Sequence, residues 1–244
     1  MPRPRPPHPT GPFRAPLTLA EYKAQLQTIP AESFEREGFT VTLSPFQMGR
    51  TPVTVGMWQE YAKAKLNGKM PELSNYPVWK DGWDAVREHP MVRVSWEDCK
   101  AYADWGGLLL PTEAQWEYAA RGGLSDKLYP WGDEEPKDQL WWTLTSGDKG
   151  TAPVERTNNV FINGYGLVDM AGNVWQWCLN WEGDYLKCAE KDPQGPEKSE
   201  YRILRGGSWD GDYVDYFCCA NGIGHYPSEL YDGWGFRLSS DGCQ

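Results

Sequence analysis

The residues that could carry chemistry in this chain are few. Six cysteines occur, Cys99, Cys178, Cys188, Cys218, Cys219 and Cys243, and none forms a C-x-x-C pair. No histidine stands at a metal-site spacing from any of them. His8 and His89 sit beside prolines, and His225 has no evident catalytic partner. There is no Ser/His/Asp set, no H-E-x-x-H and no phosphate-binding glycine loop. Cys218 and Cys219 are adjacent. On an extended strand they would face opposite ways, so they are not expected to converge on one metal. The thiols are expected to be free, with a Cys178–Cys188 bridge left open.

A second kind of chemistry is recognition. Between two strand-like pieces, Arg202-Ile-Leu-Arg-Gly-Gly-Ser-Trp209 and Trp234-Gly-Phe-Arg-Leu238, lies a stretch of unusual composition. It carries Tyr213, Tyr216, Tyr226 and Tyr231, four aspartates and His225, with no Lys, Gln, Met or Trp. Glu229 is its one Glu, although these five types make up roughly a quarter of the chain and about six would be expected here. Tyrosines among small polar residues have the composition of a binding loop, rigid anchors beside adaptable hydrogen bonders. A glycine-rich surface loop reads equally well from composition alone.

Whatever the stretch does, something must hold it. The chain has 244 residues, of which 26 are Gly, 20 Pro and 14 Trp, so turns are many and the core is aromatic. A net charge of −10 supplies no basic stripe for a nucleic-acid backbone. No apolar run approaches a membrane span, and the N-terminus has no apolar region of the signal-peptide kind. The expected location is cytoplasmic or phage-associated.

Residues 1–16 read as a mobile Pro-rich arm and 17–244 as a single domain. Thr18-Leu-Ala-Glu21 has capping-box spacing, and Leu19, Tyr22, Leu26 and Ile29 extend a helical stripe to Pro30. Residues 39–46 read as a strand, and 47–54 as a second one running into a helix capped by Thr54. That helix buries Met57, Trp58, Tyr61 and Ala62. Ser95-Trp-Glu-Asp98 and Thr112-Glu-Ala-Gln115 cap two more, stopped at Gly106-Gly107 and Gly122-Gly123. After residue 124 no further helix is expected, only loops and short strands, 168–177 among them. The class is α+β with helices in the first half.

Six blocks then appear in order: Pro90-Met-Val-Arg-Val-Ser-Trp-Glu-Asp98, Leu110-Pro-Thr-Glu-Ala-Gln-Trp-Glu-Tyr-Ala-Ala-Arg-Gly-Gly123, Tyr129-Pro-Trp-Gly132, Asn163-Gly-Tyr-Gly-Leu-Val-Asp-Met-Ala-Gly-Asn-Val-Trp-Gln-Trp177, Leu204-Arg-Gly-Gly-Ser-Trp209 and Gly235-Phe-Arg237. Together they resemble the signature of the formylglycine-generating enzymes (sulfatase-modifying factors) and their non-enzymatic relatives, over about residues 35–240. The resemblance implies a C-type lectin fold with a small twisted antiparallel sheet, two main flanking helices and much loop. In the enzymes, two copper-binding cysteines stand five apart shortly after Gly-Gly-Ser. Here that place holds Asp-Gly-Asp-Tyr-Val-Asp-Tyr-Phe, so no catalytic residue is expected.

The same stretch also resembles the variable region of proteins diversified by retroelements. In those systems AAC codons become NNC, which cannot encode Trp, Met, Gln, Lys or Glu. The implied reading is a non-catalytic protein that binds a protein ligand through a variable region at about 205–238. Trp175, Trp177 and Trp209 would form the floor. The contacts would be Asp210, Asp212, Tyr213, Asp215, Tyr216, Asn221, Ile223, His225, Tyr226, Ser228, Tyr231 and Asp232. No cofactor is required. The family's calcium block maps onto the Asp169 and Gln176 side chains and the Gly172 and Val174 carbonyls, with a hydrogen-bonded turn as the alternative. An oxidase or related metal-dependent oxygenase acting on a Cys-x-Pro-x-Arg peptide, and a structural or regulatory domain docked through the N-terminal arm, are the competing readings.

Overall fold

A computed structural model describes residues 15–36, 38–147, 149–154, 161–184 and 190–241. Residues 1–14 of the arm, with Cys188 and Cys243, lie outside the described residues, and so does the Cys178–Cys188 question.

The expected caps form. Thr18 and Glu21 make the reciprocal box that opens α1 (Leu19–Ala24). The helix ends sooner than its stripe suggests. Leu26 and Ile29 belong instead to β1 (Leu26–Ile29), where pairing with β4 (Phe46–Gly49) satisfies their backbone and buries Ile29 completely. Between them β2 (Glu32–Arg36) and β3 (Phe39–Leu43) form an antiparallel hairpin. Thr54 caps α2 (Val55–Lys65), which buries Met57, Trp58, Tyr61 and Ala62 as its spacing requires. Ser95 and Asp98 box α3 (Trp96–Gly106), and Thr112 and Gln115 box α4 (Glu113–Arg121). Both stop at a left-handed glycine, Gly107 and Gly122, where no Cβ opposes the turn.

The second half departs from expectation in three places. A further helical turn, α5 (Thr143–Ser146), occurs after residue 124, closed by Gly147. Residues 168–174 are not strand; positive φ at Asp169, Gly172 and Asn173 coils them into a turn, and β5 runs from Trp175 to Trp181. Gly-Phe-Arg-Leu is not one strand either. Only Gly235 is strand, at the end of β9 (Trp234–Gly235), and Phe236, Arg237 and Leu238 are buried between β9 and β10 (Ser239–Asp241).

With β6 (Glu190–Lys191), β7 (Arg202–Arg205) and β8 (Gly222–His225), the strands make three sheets: β1-β4-β10, β2-β3-β6 and β8-β7-β5-β9. The last is the platform for the C-terminal stretch. The main core packs helices α2 and α3 against it through rings. Trp58 stacks on Tyr102 at 5.5 Å, and Phe236 meets both edge-on at 6.1 and 5.4 Å. The result is the α+β, C-type-lectin-like architecture that the blocks imply.

Candidate ligand-binding site

The stretch between β7 and β9 is fixed at its ends and open in its middle. It leaves β7 through Gly206-Gly207, whose φ values of 101° and 73° belong to glycine. A Cβ on Gly207 would lie 2.5 Å from the Phe217 ring, so the two glycines also make room for the stretch to fold back. Trp209 follows as a buried anchor. Its backbone N–H donates to Asn173 O at 3.0 Å, its indole N–H to Asp232 O at 3.1 Å, and its carbonyl accepts from Ser146 Oγ at 2.9 Å. Phe217 closes a short 3₁₀ turn, Val214–Phe217, against Trp142 at 5.4 Å.

A buried ion network supports the far side. Glu113 and Glu117 of α4 face Arg36, Arg121 and Arg205. Arg36 reaches them at 3.0 and 3.2 Å, Arg121 reaches Glu117 at 2.7 Å, and Arg205 Nε donates to Glu113 at 3.1 Å. The other edge of Arg205 donates to Cys219 O at 2.8 Å and Asn221 O at 3.2 Å. One guanidinium thus ties the stretch to the helix. On the return, Arg93 N–H bonds Tyr231 O and Trp96 N–H bonds Pro227 O.

Above this floor lies an open cleft of about 550 Å³, lined by Trp175, Tyr216, Ile223, His225, Tyr231 and Trp234 with Ser208, Asp210, Gly211, Glu229 and Leu230. Trp175 and Tyr216 meet at 5.4 Å, Tyr231 and Trp234 at 5.4 Å, and His225 and Trp234 at 4.3 Å. Asp210 accepts from Ser208 Oγ at 2.5 Å and from Tyr231 Oη at 2.7 Å. Burial and that carboxylate push the Tyr231 phenol well above its usual range, so it stays a donor. His225 Nδ1 pairs with Glu229 Oε2 at 2.9 Å.

The other seven expected contacts are not among the residues that line this cleft. Tyr213, Tyr226 and Tyr231 are 67%, 47% and 43% exposed and are the exposed aromatics among the described residues. Asp212, Asp215 and Ser228 are exposed too, although Asp212 accepts from Thr143 at 3.0 Å. Asn221 turns back on Asp215 O at 2.8 Å. Tyr226 lies against Tyr201 at 4.7 Å. Asp232 is not brought to the cleft: Ser74 at 2.7 Å and Arg93 at 3.2 Å hold it inward. The reading missed Trp175 as a wall, Trp234 and Glu229. It sought residues free to vary, and a contact need not vary.

Of the four cysteines among the described residues, Cys99, Cys178 and Cys219 are buried and Cys218 is half-buried. Cys218 and Cys219 lie in a loop, not on a strand as supposed, yet they do diverge. Cys219 is buried with Trp116 and Met170, and Cys218 packs beside the Tyr129–Trp142–Phe217 cluster. Burial pushes the Cys219 thiol up to about 12 and also raises Cys99, Cys178 and Cys218. Among the described residues no three His, Cys, Asp or Glu side chains gather as a metal set.

The calcium block fares similarly. Gln176 Oε1 accepts from Trp116 Nε1 at 2.9 Å and Arg237 Nε at 2.6 Å, two obligate donors that fix the amide orientation. Its NH₂ therefore points at Asp169 O, 2.6 Å away, and more distantly at Val174 O, 3.4 Å away. Asp169 Oδ2 accepts from Asn173 at 2.9 Å. A cation here would face an amide N–H and a guanidinium, so these groups fit the hydrogen-bonded turn and not calcium.

Comparison with known proteins agrees with this architecture. The profile of the Sulfatase-modifying factor enzyme 1-like domain matches residues 18–241. The formylglycine-generating enzyme of Streptomyces coelicolor is 41% identical over 63% of this chain and 53% of its own length. The inactive C-alpha-formylglycine-generating enzyme 2 of Mus musculus is 38% identical over 82% of this chain and 76% of its own. The chain spans about half the length of several curated relatives it matches. Among solved structures, Treponema denticola variable protein 1 superposes with a TM-score of 0.70 at 24% identity, covering 89% of this chain and 95% of that one. PvdO from Pseudomonas aeruginosa gives 0.69 at 25% identity, covering 88% and 94%.

Proposed function

The chain belongs to the sulfatase-modifying factor (formylglycine-generating enzyme) family, and from that premise we propose that it is a non-catalytic member that binds a protein ligand through residues 205–238, diversified by a retroelement on a constant scaffold. The family contains both enzymes and inactive members, so membership alone does not decide. The observation that carries the reading is an open cleft lined by Tyr216 and the exposed Tyr231, with exposed Tyr213 against Tyr216 at 5.5 Å and exposed Tyr226 next along the chain from His225, on a stretch whose ends are pinned by backbone bonds. Side chains there can change while the fold stays. The buried, protonated thiols and the missing five-apart cysteine pair weigh against the oxidase reading.

The test is a comparison of DNA with protein. The genomic neighbourhood should hold a reverse transcriptase and a near-copy of the codons for 202–238 that differs where the copy has adenine. The differing codons should include those of outward residues such as Tyr213 and Tyr226, while those of Trp209, Glu229 and Trp234 agree. If no such copy exists and the copper-loaded protein consumes oxygen with a Cys-x-Pro-x-Arg peptide, the enzyme reading replaces this one.

A further inference from the structure

Two parts of the cleft do not belong to what varies. Trp175 lies on β5, outside the stretch, and Trp234 and Glu229 are residue types that NNC codons cannot encode. With Tyr216, Tyr231, His225 and Asp210 they line a hollow that has ring faces, two carboxylates, of which Glu229 meets His225 Nδ1 at 2.9 Å, and no Lys or Arg. Arg93, whose backbone N–H bonds Tyr231 O, has its guanidinium held by Asp232 at 3.2 Å. Ring faces attract organic cations, tryptophan most strongly, and the attraction grows when water is excluded. The same protein uses this chemistry internally: Arg202 lies between Trp96 and Trp181, 3.6 and 3.4 Å from the two rings.

We propose that the cleft is a constant receptor for one lysine or arginine side chain projecting from the protein ligand. The stem lies against Trp175 and Trp234, and the charged head reaches Glu229, with Asp210, which belongs to the variable set, as a second carboxylate in this chain. This deepens the proposed function and rests on it for the division into fixed and variable residues. The surrounding variable positions then select among basic surfaces, while the anchor is common to all variants. Charge complementarity favours this occupant, since the chain carries a net charge of −10. A divalent metal ion fits less well, because it needs six or so oxygens and the lining offers two carboxylates among apolar rings.

The probes are three capped tripeptides, glycine–X–glycine amides with X as arginine, lysine or the neutral arginine analogue citrulline. Binding is followed by calorimetry and by the indole N–H signals of the ¹⁵N-labelled full chain, with Trp175→Phe and Trp234→Phe assigning the two relevant peaks. The arginine and lysine peptides should shift those two indoles and the citrulline peptide should not. Glu229→Gln, at a half-exposed side chain, should weaken the cationic peptides about three- to tenfold without moving the melting temperature. Asp210→Asn should weaken them likewise. Equal binding of citrulline, binding that Glu229→Gln and Asp210→Asn both leave intact, or no binding by any peptide overturns the cationic receptor. These results are separate from the DNA comparison. A template copy without peptide binding sinks the receptor alone, and peptide binding without a template copy sinks the retroelement reading alone.

Discussion

At the residue scale, the difference between a reactive and an inert cysteine is burial. Cys99, Cys178 and Cys219 are nearly inaccessible, and their thiols are raised by desolvation. A water-soluble thiol reagent at pH 8, followed by peptide mass spectrometry, should leave these three unlabelled in the folded protein and label them in urea. Labelling of Cys219 in the native state would reopen metal or redox chemistry there. Sequence order showed that Trp175, Trp177 and Trp209 would lie buried, because they sit in blocks with a known fold. It did not show the fate of Asp232 or Gln176. Their partners are Arg93, Trp116 and Arg237, 139, 60 and 61 positions away, and no local pattern encodes such meetings.

At the scale of elements, the three capping boxes were legible because each is a four-residue device whose two hydrogen bonds are internal. The end of α1 was not. Leu26 and Ile29 satisfy a helical period and a strand alternation alike, and only pairing with β4 decides between them. The ion network between α4, β2 and β7 was equally hidden. Removing one partner leaves uncompensated buried charge, so Arg205→Met should destabilise the protein by about 3–5 kcal/mol in urea melts. It should also loosen the loop that Arg205 holds through Cys219 O and Asn221 O. Tyr213→Ala makes the contrast. At a 67% exposed position it should change stability by no more than about 0.5 kcal/mol. A large loss there would mean that Tyr213 supports the fold and would count against its proposed role in binding.

At the scale of the whole molecule, no helix among the described residues is long and apolar enough to cross a membrane. Stability instead comes from a ring-rich core and from polar groups that answer one another. If the 168–176 turn is closed by its own hydrogen bonds, adding calcium or a chelator should shift the melting temperature by less than about 1 °C. A rise of several degrees with calcium would show a site that the turn geometry argues against. The most central of these polar groups is Arg237. Its guanidinium donates to the carbonyls of Gly49, Arg50, Val168 and Asp169 and to the Gln176 side chain, at 2.6 to 3.3 Å. All five acceptors leave the ribosome before it, the first by 188 residues. A chain that breaks off, or slips out of frame, inside residues 210–233 never supplies this arginine, and it exposes buried carbonyls that nothing else answers. Completion of this core therefore waits until translation has passed through residues 210–233. A chain truncated or shifted in frame within that stretch should therefore fold poorly and be cleared by proteases.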